Sequence, residues 1–198
     1  MFFRKSELVG INKKVIETGI LFIHIPKTAG VSISKQLYDG LIGHKGYYYY
    51  KKKFSYQQYT DLYKFSVVRH PFSRFISSYN YLKNGGLTPY DREFSKKINN
   101  YDNVDSFLQQ NHKTLKRNLH FKSQHTFIFR RSKKQVNDIF KIEELNDFEL
   151  FFNLKLNVKI SYKLNCSPNK NETTISQESK DILRDIYKND FRLLRYEK

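Results

Sequence analysis

The run Gly19-Ile-Leu-Phe-Ile-His-Ile25 restricts the possible folds more than any other stretch of this chain. A continuous β-branched and aromatic segment without polar alternation suits a strand buried on both faces, as in a parallel sheet. Pro26 ends the run, Lys27 to Gly30 read as a turn, and Val31, Ile33 and Leu37 then fall at helical spacing up to Gly40. Strand, turn and helix in that order form the first half of a parallel crossover unit.

The same order recurs from Lys64. Phe65, Val67 and Val68 make a short buried strand with Arg69 and His70 at its end, and Pro71 suits the first position of a helix, where its missing N–H costs nothing. Phe72, Phe75, Ile76, Tyr79 and Leu82 share one helical face, with Ser77 on the flank of that stripe and Arg74 farther round as a candidate solvated charge. Val136 to Ile142 reads as a third strand. Asn146 followed by Glu149 resembles a capping box for a helix through Leu154, and a last helix is expected from about Ser176 to Asn189 with Ile182, Leu183, Ile186 and Tyr187 inward. Tyr47 to Lys53 (four tyrosines, then three lysines) and the polar stretch Asn165 to Thr174 read as surface loops, the first either a plain solvated loop or a substrate rim that supplies stacking and charge. Alternating strands and helices over 198 residues predict one α/β domain: three layers, with a mainly parallel central sheet flanked by helices. Residues 1–18 form a lead-in, and the core spans about 19–196.

The single cysteine, Cys166, excludes an internal disulfide framework and is compatible with a reducing compartment. No stretch has the length and apolarity of a signal peptide or membrane span, so a soluble, cytoplasmic protein is expected. The 36 Lys and Arg against 19 Asp and Glu give a net charge of +17, which suits anionic partners but equally fits a composition rich in Lys, Asn, Tyr, Phe and Ile throughout, so charge alone does not decide. Basic residues are scattered and no DNA- or RNA-binding signature stands out, so no nucleic acid is expected.

The turn at Lys27-Thr-Ala-Gly-Val-Ser32 is where chemistry is expected. Backbone N–H groups between a buried strand and a helix N-terminus form a phosphate cradle, and the helix dipole adds partial positive charge. Lys27 adds a mobile ammonium; Thr28 and Ser32 are candidate hydroxyl donors. The pattern is not a nucleoside-triphosphate loop of the GxxxxGK[ST] form, because its one glycine follows the lysine.

The string His24-Ile-Pro-Lys-Thr-Ala-Gly30 resembles the 5′-phosphosulfate loop of the carbohydrate-type sulfotransferases, which use 3′-phosphoadenosine 5′-phosphosulfate (PAPS) and have a P-loop-like α/β fold. Val67-Val-Arg-His-Pro-Phe-Ser-Arg-Phe-Ile-Ser-Ser-Tyr79 resembles the same family's 3′-phosphate motif. Weaker similarity continues through His120-Phe-Lys-Ser-Gln124, the strand–Glu–helix stretch Ile139 to Phe148 and the closing helix Asp185 to Tyr196. The resemblance implies PAPS as co-substrate and 3′,5′-adenosine bisphosphate (PAP) as product, with no metal required. Lys27, Thr28, Ala29, Gly30, Val31 and Ser32 would hold the 5′ end, and Arg69 and Ser77 the 3′-phosphate. Val31 departs from the small or hydroxylated residue usual at its position, which removes one side-chain donor.

In-line transfer needs charge stabilisation at the leaving oxygen, for which Lys27 is the candidate, and a base for the attacking hydroxyl. His44 in Gly43-His-Lys-Gly46 is the first candidate and His120 the second, with a carboxylate or no protein base as the remaining alternatives. His24, inside the strand run, reads as a core residue. The acceptor is expected to be a hydroxyl compound, with a glycan favoured by the resemblance. A nucleotide kinase, a nucleic-acid-binding module and a non-catalytic nucleotide binder are the competing readings, and the oligomeric state stays open.

Overall fold

The computed structural model describes residues 5–144, 149–153 and 173–197. They divide into two compact units: one from Phe3–Arg69 and Gln124–Cys166, the other from His70–Ser123 and Ser167–Lys198. We call them the sheet unit and the helical unit. Cys166, the capping position Asn146 and most of the expected loop 165–174 lie outside the described residues.

The sheet unit carries the expected parallel sheet. Strands β1 (Ile20–Phe22), β2 (Tyr63–Val68) and β5 (Asp138–Lys141) are hydrogen-bonded in the order β1-β2-β5. β1 and β2 run parallel in the register Phe22 to Phe65, and β2 and β5 run parallel in the register Val68 to Lys141. All of β1 and the last four residues of β2 are buried, as their unbroken apolar sequences demand. Phe22 stacks on Phe65 at 5.0 Å, and Phe152 meets Phe65 edge-on at 4.8 Å.

Helix α2 (Gly30–Tyr38) returns along β1 and finishes its edge. The Tyr38 hydroxyl accepts from Phe22 N–H at 2.9 Å and donates to Ile20 C=O at 2.9 Å. Two main-chain groups that a strand edge would otherwise leave bare are thereby satisfied. Burial pushes the Tyr38 pKa above its ordinary value. α3 (Tyr47–Lys53) and α4 (Tyr56–Asp61) complete the crossover to β2, and α8 (His125–Ile128) leads into a short hairpin, β3 (Phe129–Arg130) and β4 (Lys133–Lys134).

Two elements differ from expectation. Residues 5–18, expected only as a lead-in with no element assigned, form helix α1 (Lys5–Thr18), with Val15 fully buried. The Tyr47–Lys53 stretch is a helix, not a loop: Tyr50 turns inward with 2% of its surface exposed, its ring stacked on Phe54 at 6.2 Å. Burying an aromatic ring contributes about 2 kcal/mol, and packing of this kind rather than intrinsic propensity holds so short a helix.

The helical unit is built around α5 (Pro71–Lys83), α6 (Pro89–Ile98), α7 (Val104–Asn111), α9 (Gln177–Ile186) and α10 (Lys188–Leu194). Pro71 and Pro89 open their helices, and Thr88 with Asp91 makes a capping box. Phe75, Tyr79, Leu82, Phe107, Phe121 and Leu183 form its core. The single closing helix expected over 176–189 is two helices that meet at Tyr187. The Tyr187 hydroxyl donates to Phe121 C=O at 2.8 Å, so the side chain at the break is fixed inside the core. No helix among the described residues is long and apolar enough to cross a membrane.

Candidate active site

The turn after β1 adopts the backbone that anion cradles use. Lys27 and Ala29 have positive φ, 69° and 63°, and Gly30 opens α2. Left-handed residues alternating with ordinary ones turn successive N–H groups to one side. The first N–H groups of a helix have no intrahelical acceptor, and α2 has no acidic residue in its first turn to occupy them.

Thr28 corrects one expectation. Its side chain is fully buried, and its hydroxyl donates to Ile25 C=O at 2.9 Å. That hydroxyl closes the turn from inside, so position 28 faces the cradle with its backbone alone. Val31 is 44% exposed at the start of α2 and likewise brings only main chain. Ser32 is half-buried and accepts from Gln36 Nε2 at 3.3 Å. Gly30 is required sterically: a Cβ there would lie 1.9 Å from Cδ2 of His24.

His24 is a core residue, as expected. Its Nδ1 donates to Ile42 C=O at 3.1 Å, and burial pushes its pKa down to about 4, so the ring is neutral. The half-buried His44 ring lies against it, with centroids 4.1 Å apart. His44 Nδ1 meets His24 C=O at 3.3 Å. A carbonyl only accepts, so Nδ1 of His44 carries a proton in this contact.

Arg69 follows β2 directly. β1 and β2 are adjacent and parallel, so the Lys27 turn and Arg69 leave the same, carboxyl-terminal edge of the sheet from strands about 5 Å apart. The Gln124 side chain braces this point: its Oε1 accepts from Arg69 N–H at 3.0 Å, and its Nε2 donates to Arg69 C=O at 2.7 Å. Gln124 is fully buried. Neither its spacing nor its neighbours singled it out as a brace; it stood only at the end of the His120–Gln124 resemblance.

Ser77 and His120 belong to the helical unit. Ser77 is half-buried, near the middle of α5. His120 is buried, its Nε2 3.2 Å from Asp91 Oδ1. Burial opposes charge on Asp91, but bonds from Thr88 and Tyr81 and the charge of His120 outweigh it and hold the carboxyl below its ordinary pKa. Arg74, expected as a solvated charge, is instead 1% exposed. It donates through Nη1 to His120 C=O at 2.9 Å and through Nη2 to Lys122 C=O at 2.7 Å, and Ser78 adds a bond to the first carbonyl. Asp91 was not foreseen, although Thr88-Pro-Tyr-Asp91 is a readable capping signature.

Lys27 to Ser32, His44 and Arg69 thus fall in the sheet unit, and Ser77 and His120 in the helical unit. Neither curated proteins nor solved structures give a match. A model described as the sulfotransferase family matches residues 16–197.

Proposed function

Because the chain belongs to the sulfotransferase family, we propose that it transfers a sulfuryl group from PAPS to a carbohydrate hydroxyl by in-line displacement. The reading rests on one observation above the others. Two junctions leave the same sheet edge from adjacent parallel strands, one a left-handed N–H cradle with Lys27, the other an arginine braced through its own backbone.

In this mechanism the N–H groups of residues 28–31 hold the 5′-phosphate beside the Ser32 hydroxyl, the Ser32 N–H being taken by Ala29 C=O at 3.1 Å, and the guanidinium of Arg69 takes the 3′-phosphate with its planar fork. The acceptor oxygen attacks sulfur while the bond from sulfur to the bridging phosphate oxygen breaks. Negative charge then builds on that oxygen, where the Lys27 ammonium stabilises it, and PAP departs. The acceptor proton passes to Nε2 of His44, which its Nδ1–H bond to His24 leaves as the basic nitrogen. His120 in this scheme is a positioning residue, tied to Asp91 within the helical unit.

Thermal unfolding with PAP, ATP·Mg or no ligand tests the reading. PAP at a hundred times its dissociation constant should stabilise the chain by about 2.7 kcal/mol, and ATP·Mg by clearly less. His44→Ala should keep the PAP effect and lose transfer of labelled sulfate from PAPS. Equal stabilisation by ATP·Mg, or none by PAP, would contradict the donor assignment, and full transfer by His44→Ala would contradict the base.

A further inference from the structure

Beside the proposed reaction centre the sheet unit has an open cleft of about 620 Å³, lined among others by Tyr47, Tyr48, His125, Phe129, Arg130 and Arg131. The transfer steps above do not use it. Its lining contains aromatic rings, an imidazole and two guanidinium groups, and no carboxylate.

Both walls are fixed by the fold. On one side, Gly46 enters α3 so near α8 that a Cβ would lie 3.3 Å from the backbone of Phe127, and the buried Tyr50 ring anchors the helix from below. Tyr48 stays 58% exposed, with Lys52 Nζ 4.6 Å from its ring centroid. On the other side, Arg130 pairs with Lys133, which leaves Arg131 and Ser132 as the two turn residues, with φ of 45° and 64°. Two consecutive positive φ values are the pattern of a type I′ hairpin turn, where Asn and Gly are the usual occupants. Here an arginine holds the first position. A non-glycine residue in that region is uncommon, and the strain marks the hairpin tip as a place to look for function.

Charge and position agree. Arg130 and Arg131 are exposed, and among the described residues neither has a carboxylate within ion-pair distance. Lys51, Lys52, Lys53, Lys133 and Lys134 are exposed on the same two elements. His44 lies three residues before Tyr47, and Gln124, which braces Arg69, directly precedes His125. One wall of the cleft thus starts three residues after the proposed base, and the other starts next to the residue that braces Arg69. Tyrosine faces pack on the apolar faces of sugar rings, and guanidinium forks match sulfate and carboxylate oxygens.

We propose that this cleft is the acceptor subsite and that its ligand is an acidic glycan, a sugar chain bearing sulfate or carboxylate groups. The proposal rests on the sulfotransferase reading above and adds to it the charge of the acceptor and the residues that recognise it.

Calorimetric titration of the full chain with a heparin-derived hexasaccharide, its desulfated N-acetylated counterpart and a single-stranded DNA oligonucleotide tests it, with PAP titrated into the same preparations. The hexasaccharide should bind at least about ten-fold more tightly than the desulfated probe and than DNA. Replacing both Arg130 and Arg131 by Ala should weaken it about ten-fold and flatten its salt dependence, and Tyr48→Ala should weaken it without changing that salt dependence. Replacing Lys96 and Lys97 by Ala, in the helical unit, should leave it unchanged, and PAP affinity should be the same throughout. Equal loss in the Lys96/Lys97 chain, or equal binding of the desulfated probe, would overturn the subsite. DNA binding as tight, and lost with the same arginines, would make a nucleic acid the ligand instead. Absence of hexasaccharide binding while PAP still binds would overturn the glycan proposal alone, whereas absence of PAP binding would overturn the donor reading beneath it.

Discussion

His24 supports the Lys27 turn in three ways. Its ring stacks on Phe22 at 5.5 Å, its Nδ1 holds Ile42 C=O, and its edge fills the space that any side chain at position 30 would need. Burial, opposed only weakly by the bond to Ile42, lowers its pKa from 6.5 to about 4. The unfolded chain takes up this proton near 6.5 and the folded chain only near 4, so the neutral ring's contribution is full above the upper value and falls away as pH drops between the two. The loss amounts to about 3 kcal/mol across that window. Urea unfolding at a series of pH values should show it, and His24→Gln should remove most of the slope. An unchanged slope in that variant would mean that another group carries the acid sensitivity.

At the level of elements, the β2–α5 junction depends on a side chain 55 residues away in sequence. Gln124 gives Arg69 the two bonds that a neighbouring strand would give, one accepted and one donated. Gln124→Ala should weaken PAP binding about ten-fold with little effect on the acceptor's KM. Gln124→Glu keeps an acceptor for Arg69 N–H but cannot donate to its carbonyl, and should fall between the two. Titration of PAP into the three proteins decides it; three equal affinities would mean that Arg69 needs no brace.

Both strand–turn–helix units were legible because their signals are local: an unbroken apolar run, a proline, a small-residue turn and a helical stripe. Tyr47–Lys53 was not, because four successive tyrosines show no period, and only the buried setting of Tyr50 selects a helix. The contacts of Arg74 with His120 and Lys122 join residues 46 and 48 positions apart, and His120 is 29 from Asp91, so no window along the chain displays them. Within the site, Lys27, His44 and Arg69 could be named from sequence, but the inward turn of Thr28 depends on the carbonyl of Ile25.

At the scale of the whole molecule, the sheet unit carries the cradle, the proposed base, Arg69 and its brace, and the basic cleft. The helical unit carries Ser77 and the Asp91–His120–Arg74 network. An excess of positive charge over a chain of this size raises the local concentration of anionic ligands, most strongly at low ionic strength. The central claim is that one nucleotide bridges the two junctions of the parallel sheet. Diffraction from crystals grown with PAP tests it directly: the 5′-phosphate should lie against the N–H groups of residues 28–31 and the 3′-phosphate against the Arg69 guanidinium. A bound nucleotide whose phosphates touch neither the Lys27 turn nor Arg69 would contradict it.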